Sequence, residues 1–230
     1  MSKKTKKILA GLSNIYFAPY DRSANTFGTP VRILYAKKIE NKLNFELDDE
    51  WADNMAIEPG YDFVGGEGTL SVLTLTSDEQ AILFGNKAVK GGIVVNSGDV
   101  SPEGAFLFER RKKKSTHRRL YVVYNCVCSP TSISAETIEK GKGAASVDEI
   151  NYSVGELANG DIYHFIDTDD PTVDQASITK WFQEVQFPKE VSVLSKVAKS
   201  KKRNEVKKSQ KSNDTNVKNK EKDNVIEETV

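Results

Sequence analysis

The 230-residue chain is poor in the residues that build disulfide frameworks and the commonest catalytic sites, since it has only two cysteines and two histidines. Two cysteines cannot form the framework of a small secreted fold. No apolar run approaches the roughly 20 residues that a membrane-spanning helix requires. The apolar stretch after the first lysines, residues 8–12, is shorter than the roughly seven residues of a signal-peptide core. We therefore expect no membrane helix and no cleaved signal peptide.

Charge divides the chain into two parts, although the formal net charge is zero. Residues 189–230 contain 12 Lys and Arg against 7 Asp and Glu, and no aromatic residue, glycine, proline or cysteine. Such a segment buries too little apolar surface to offset the entropy that ordering costs. All 20 aromatic residues lie in residues 1–188, whose 21 basic and 26 acidic side chains give a net charge of −5. We predict an acidic folded body, 1–188, and a disordered Lys-rich tail, 189–230.

The body has the sequence patterns of a mainly β protein. Val, Ile, Tyr and Phe are concentrated in residues 15–20 and 31–39, and apolar residues alternate with polar ones in 43–47. Further strands are predicted at residues 69–76, 105–109, 120–128, 147–154 and 161–167. The glycines of residues 65–68 indicate a turn, and Asn159-Gly160 is a hairpin-turn dipeptide between the last two strands.

Two short helices are predicted from capping patterns. Ser77 and Gln80 have the spacing of a capping box, and Gly85 suits the left-handed position that ends a helix. A second helix, around 173–186, would begin at Thr172. Its apolar side chains recur every three or four residues: Ile178, Trp181, Phe182 and Val185. About eight strands and two short helices indicate a β-sandwich or partly closed barrel with a flanking short α-helix.

Two charged segments are the candidate functional residues. The predicted hairpin of 105–109 and 120–128 has seven cations at its tip: Arg110, Arg111, Lys112, Lys113, Lys114, Arg118 and Arg119. The densest acidic loop of the strand-rich region has four carboxylates: Asp48, Asp49, Glu50 and Asp53. The basic tip could contact nucleic-acid phosphates, or it could meet an acidic partner in the same chain or a neighbour. The second interpretation is favoured, because a body with a net charge of −5 repels nucleic acid elsewhere.

No sequence motif indicates a catalytic or metal site. His117 lies in the basic tip and His164 on a predicted strand, neither in a motif with a nucleophile. Cys126 and Cys128 lack two further ligands at zinc-finger spacing, and we interpret them as small buried side chains in a reduced cytoplasm. The aspartates of 167–170 begin like a calcium loop, but the glycine and the final glutamate of that loop are missing. We expect no enzyme activity, cofactor or metal, and a solvated turn at 167–170.

The order of these features resembles the major tail proteins of siphophages that infect Gram-positive bacteria. The resemblance covers residues 6–187 and is carried by the order of five segments. These are the Lys-rich start with 11–18, the strand 29–33, the loop motif Trp-Ala-Asp-Asn at 51–54, the strand, helix and glycine of 65–85, and the basic hairpin. The tip is richer in Lys and Arg than the family pattern, and the Lys-rich tail departs from it.

The resemblance implies a structural virion protein made in the host bacterial cytoplasm. Proteins of this family are tail-tube subunits, β-sandwiches with a flanking helix that close into hexameric rings. The rings stack into the tube that conducts DNA into the host, without specific DNA binding in the lumen. The implied partners are the chain itself and other tail proteins, such as the tape measure, terminator and distal tail proteins.

A ring or stack also offers the basic tip a neighbour. We predict that the tip and the acidic loop meet between subunits, with the tip away from the lumen, where cations would retard passing phosphates. The alternative from another class is a nucleic-acid-binding protein that uses the tip and the tail. An unrecognised enzyme is the remaining alternative.

Overall fold

The computed structural model describes residues 8–52, 55–130 and 147–189. Over these residues the chain forms eleven strands and two helices. In chain order they are β1 (Leu9–Asp21), β2 (Thr26–Phe27), β3 (Val31–Ile33), β4 (Ala36–Ala52), β5 (Met55–Val72), α1 (Ser77–Phe84), β6 (Lys87–Val89), β7 (Gly92–Val94), β8 (Glu103–Lys112), β9 (Arg118–Cys128), β10 (Asp148–Val154), β11 (Tyr163–Asp167) and α2 (Gln175–Lys180). The prediction of a mainly β fold with short helices is confirmed, and the strand pairs are antiparallel. No helix within the described ranges is both long and apolar enough to span a membrane.

Nine of these strands form one antiparallel sheet in the order β2, β1, β8, β9, β10, β5, β4. Two strands lie beside this path, because β3 pairs with β1 and β11 pairs with β9. One edge of β9 therefore holds two partners: β11 along Arg119–Val123 and β10 along Cys126–Cys128. Asn125, between these two stretches, has a positive φ of 46°. The sheet branches at this point of β9.

The branch corrects the predicted pairing of the last two strands. Residues 148–154 and 163–167 are strands, and Gly160 has the positive φ of a turn residue. The two strands do not form a hairpin with each other, however, since each pairs with β9. A turn dipeptide reports only the local direction of the chain, whereas the strand partner is chosen by packing against distant residues.

Apolar side chains on the two faces of the central strands form two cores. On β8, Phe106 and Phe108 belong to the first core, and Ala105 and Leu107 belong to the second. Strands buried on both faces are expected to have such continuous apolar runs. The second core is covered by the chain around α2, where Trp181 is fully buried and donates from Nε1 to the carbonyl of Tyr121 at 3.3 Å. Three further residues of this segment pack on the same core, as the sequence spacing predicts: Ile178, Phe182 and Val185.

Both helix starts differ from the predicted ones. Helix α1 begins one residue earlier than predicted, with Thr76 as N-cap in a reciprocal capping box with Glu79, while Gly85 ends it in the left-handed conformation as expected. Helix α2 spans only six residues, and its N-cap is Asp174. The Asp174 side chain accepts from the N–H of Ala176, whereas the hydroxyl of Thr172 donates to Asp170 two residues earlier. Neighbouring Ser, Thr and Asp side chains compete for such local bonds, and the sequence does not show which one succeeds.

The sequence predicts a turn at the glycines of residues 65–68. In the structure these residues are instead part of β5. Gly68 lies opposite Tyr152 of β10, and a Cβ atom on it would lie 2.1 Å from the tyrosine ring. A Cβ on Gly66 would lie 3.0 Å from the carbonyl oxygen of Lys42 on β4. Glycine inside a strand often marks such a close approach. The predicted strand 31–39 is also divided, because Tyr35 has a φ of 54° in a turn between β3 and β4.

Candidate functional site

The basic tip is narrower than predicted. Strand β8 extends through Lys112 and β9 begins at Arg118, so the turn comprises residues 113–117. The pairing continues to the end of the hairpin, with Arg111 opposite Arg118. Lys114 supplies the left-handed residue of the turn with a φ of 55°. Most of the seven cations therefore lie on strand backbone, which fixes the face that each one occupies.

Lys112 is the most buried cation of the tip, with 2% of its side chain exposed. Its ammonium lies 3.0 Å from Oδ1 of Asp167 and also donates to Asp169. Burial opposes the charged form, but the hydrogen bonds to Asp169 and Asp167 outweigh it, so the pKa of Lys112 is raised. The ammonium of Lys112 thus contacts two of the aspartates in residues 167–170.

Arg119 makes a two-bond contact with the same carboxylate. Its Nε and a terminal nitrogen donate to the two oxygens of Asp167 at 2.9 and 2.7 Å. These bonds hold the pKa of Asp167 below its ordinary value, with smaller contributions from Lys112. The guanidinium carbon also lies 4.2 Å from the centre of the Phe165 ring, a cation–π contact. Asp167 therefore joins two cations of the tip to the end of β11.

Arg118 is paired on the other side of the hairpin with Glu109, a carboxylate with no exposed surface. The guanidinium lies 2.9 Å from Glu109 Oε2, while Ser13 and Asn14 donate to Oε1. Asn14 reaches this oxygen from an irregular part of β1, where its own φ is 53°. A buried carboxylate is tolerated when it accepts several hydrogen bonds of this kind.

Three cations of the tip thus form ion pairs with carboxylates of their own subunit: Lys112, Arg118 and Arg119. The sequence interpretation missed these carboxylates, treating residues 167–170 as a solvated turn and Glu109 as the end of a strand. The negative charge of these carboxylates was the only sequence signal for a pairing with the tip. Their positions along the chain do not show that they lie close to it in the fold. Arg110, Arg111 and Lys113 remain exposed on the surface.

The sequence predicts that the acidic residues form a loop, but the structure places three of them on a strand. Asp48, Asp49 and Glu50 lie on β4, in register with residues 58–60 of β5, and Asp53 lies outside the described residues. These residues belong to the distal half of the β4–β5 hairpin. The proposed contact between this group and the basic tip of another subunit stays a prediction.

The distal half of the β4–β5 hairpin extends past the rest of the sheet, and we call residues 44–52 and 55–65 the arm. Strand β5 pairs with β10 only from Gly66 to Val72. One face of the arm is apolar: Phe45 lies opposite Phe63, and Leu47 opposite Tyr61. Leu47 is 55% exposed and Tyr61 is 72% exposed. An isolated two-stranded hairpin is only marginally stable in water. Contact of the apolar face with another surface would therefore stabilise the arm.

Of the other groups with possible chemistry, the two cysteines are buried and His164 is partly buried. Cys126 and Cys128 are free, buried thiols, and burial raises the pKa of Cys128 to about 12. Burial lowers the pKa of His164, whose ring lies 5.7 Å from that of Trp181. Over the described ranges, no group of three His, Cys, Asp or Glu residues is arranged to hold a metal ion.

Comparisons with known proteins gave matches among solved structures only. No protein-family model matches the chain, and no curated protein matches it in sequence. The chain is similar to the cap that terminates the tube of an anti-feeding prophage, with 10% identity and a TM-score of 0.40, over 72% of this chain and 99% of that one. It is similar to the same degree, with 9% identity and a TM-score of 0.40, to a chain of the sheath–tube complex of an extracellular contractile injection system in its extended state. That match covers 72% of this chain and 93% of the other.

Proposed function

We propose that the protein is a structural subunit of a phage tail, a major tail protein whose hexameric rings stack into the tube that conducts DNA. The observation that carries the proposal is the arm, which presents apolar side chains that its own subunit leaves exposed. An apolar face of this kind on a strand-rich body is typical of an interaction surface. The order of sequence features that resembles the siphophage tail proteins supports the same function.

The charged segments support assembly rather than DNA binding. Lys112, Arg118 and Arg119 are engaged by carboxylates of the same chain, which leaves fewer cations for phosphate. The exposed cations Arg110 and Arg111 are available to the acidic residues of another subunit. Exposed pairs are worth about 0–1 kcal/mol each, so several must act together. Other tail proteins would then bind the ends of the tube.

Electron microscopy of the purified full-length chain tests the proposal. Rings or tubes in negative stain are the expected result. A chain that remains monomeric at high concentration in sedimentation experiments would contradict it. Binding to DNA that weakens steeply with rising salt would instead favour the nucleic-acid-binding alternative.

A charge reversal tests the contact between tip and arm. Arg110, Arg111 and Lys113 are changed to Glu, which removes no residue from the ion pairs that Lys112, Arg118 and Arg119 make. We expect assembly to be impaired while the subunit stays folded, and partly restored when Asp48, Asp49 and Glu50 are changed to Lys. The matched control reverses Lys87 and Lys90, two exposed lysines at the β6–β7 hairpin. Normal assembly of the reversed tip would exclude the contact.

A further inference from the structure

A second exposed apolar surface lies on the branched part of the sheet, and we call it the aromatic floor. Its four aromatic residues, Phe108, Tyr121, Tyr163 and Phe165, lie on adjacent strands β8, β9 and β11, and of these Phe108 is buried. The rings of Phe108 and Tyr121 are stacked at 4.8 Å, and those of Tyr121 and Phe165 lie 5.8 Å apart. Tyr163 remains 49% exposed and Phe165 39% exposed.

The branch in β9 explains why the floor is uncovered. Strands β10, β5 and β4 continue the sheet from the Cys126–Cys128 stretch of β9, so none of them pairs with β11. A cleft of about 600 Å³ lies between three residues of the floor, Phe108, Tyr121 and Tyr163, and residues of β4 that include Ile39 and Leu43. This volume accommodates a few large apolar side chains. The subunit therefore carries a cleft with aromatic and aliphatic side chains in its lining, in addition to the apolar face of its arm.

The arm has the dimensions and the side chains to enter such a cleft. Its nine residues on β4 span about 30 Å at the usual rise of a strand. Four large apolar side chains lie on one of its faces: Phe45, Leu47, Tyr61 and Phe63. The ring centres of Phe45 and Phe63 are 5.5 Å apart, so the two form a compact pair. This pair and Leu47 are comparable in size to the cleft.

Charge is complementary between the two surfaces. On the second face of the arm, Glu46 lies opposite Asp62, and both are exposed. Like charges directly opposite each other destabilise a hairpin, so a nearby cation is favourable. Three cations, Lys37, Lys38 and Arg110, lie at the cleft together with one carboxylate, Glu40, which pairs with Lys38. Because the arm is only two strands wide, long cationic side chains beside the cleft can reach its second face.

We propose that the arm of one subunit inserts its apolar face into the cleft of a second copy and covers the aromatic floor there. The inference rests on the proposed function, since it requires the chain to assemble with itself. The two surfaces differ and belong to one molecule, so the contact is head-to-tail. A contact of this type closes into a ring or continues as a filament.

Disulfide trapping between two proteins, each with one introduced cysteine, tests the contact. Full-length Leu47→Cys and Tyr163→Cys proteins are mixed under assembling conditions, oxidised and separated on a non-reducing gel. We expect a covalent heterodimer, and a ladder of higher species from the double variant. The matched control pairs Tyr163→Cys with Asp62→Cys, whose thiol lies on the opposite face of the arm, and we expect the heterodimer band to be lost. Cys126 and Cys128 are buried and contribute little background.

Each outcome separates the inference from the proposed function. Rings or tubes without the Leu47–Tyr163 crosslink would overturn the arm-to-floor contact but leave self-assembly intact. Equal trapping of Asp62→Cys would show that the apolar face is not the one inserted. A crosslink within single molecules of the double variant, seen at high dilution, would show that the arm covers its own floor. Absence of both assembly and crosslink would overturn the two proposals together.

Discussion

The ammonium of Lys112 lies 3.0 Å from Oδ1 of Asp167, and this contact ties the basic tip to the end of β11. Asp167 also accepts two hydrogen bonds from Arg119, so one carboxylate holds two cations. Carboxylates of the same subunit thus reduce part of the electrostatic repulsion among the seven clustered cations. The exposed cations Arg110, Arg111 and Lys113 are the ones available to a neighbour.

Replacing Asp167 with Asn should lower the free energy of unfolding by about 2–3 kcal/mol, a little less than the loss of a partner from a fully buried pair. The reason is that Lys112 and Arg119 then lose a shared counterion while Lys112 remains buried. Urea unfolding followed by tryptophan fluorescence measures the change. The matched control is Glu40→Gln, which removes a partner of Lys38 from an exposed pair and should cost about 0–1 kcal/mol. Equal effects of the two substitutions would contradict the assignment.

The same carboxylate should make stability depend on acid pH. The hydrogen bonds from Arg119 lower the pKa of Asp167 in the folded chain below the ordinary value of about 4. The unfolded chain therefore binds this proton first as the pH falls. The contribution of Asp167 is fully present above about pH 5 and is lost as the pH falls through the folded pKa. The stability difference between the wild type and Asp167→Asn should shrink from pH 7 to pH 3. A constant difference across urea titrations would be the contrary result.

Gly68→Ala should destabilise the protein by about 1–3 kcal/mol, as overpacking of a core does. Its Cβ would lie 2.1 Å from the ring of Tyr152, which is buried and packed against Phe106. Gly92→Ala is the control, since nothing lies within 4 Å of a Cβ at that strand position. Thermal unfolding of the two variants compares them. A Gly68→Ala protein as stable as the control would show that the tyrosine ring moves aside freely.

Glu79→Ala should cost more than Thr76→Ala, although both remove one half of the capping box. Loss of the Thr76 cap is expected to cost about 1 kcal/mol. The Glu79 carboxylate accepts hydrogen bonds from the backbone of Thr76 and also from the N–H of Leu34, which joins α1 to the turn before β4. Its removal leaves additional donors without a partner, each worth about 1–3 kcal/mol where buried. Chemical denaturation ranks the two variants, and the reverse order would contradict this role.

Limited trypsin digestion should remove the predicted tail and leave a stable body that ends near Lys189. The prediction follows from the composition of residues 189–230, which offers no aromatic side chain to a core. Mass spectrometry identifies the cleavage site, and circular dichroism of the trimmed protein reports its fold. Protection of the tail, or unfolding of the body after its removal, would be the opposite outcome.

Features that depend on neighbouring residues were predicted well from the sequence. The alternation in 43–47, the apolar run of β8 and the spacing of Trp181 and its neighbours are properties of short segments. The first forms a strand as expected, although Phe45 and Leu47 are exposed, and the other two pack in the cores. Gly85 ends α1 for the same reason, because a left-handed residue is required within a few positions of the helix. The N-cap of α1 differs from the prediction by one residue, because Thr76 and Ser77 are adjacent and both carry a hydroxyl that can cap a helix.

Features that join distant residues were decided by the tertiary structure alone. The sequence could name the cations of the tip but not their partners, since Asp167 is 55 residues from Lys112 along the chain. Residues 65–68 were predicted to be a turn because glycine is common in turns. In the structure the ring of Tyr152 packs so closely on Gly68 that glycine is required inside a strand. The branch of β9 likewise depends on which strands reach its edge, and it is this branch that leaves the aromatic floor open. Sequence patterns record the local conformation of a segment, while the partner of a strand or a charge is selected by the packing of the whole body.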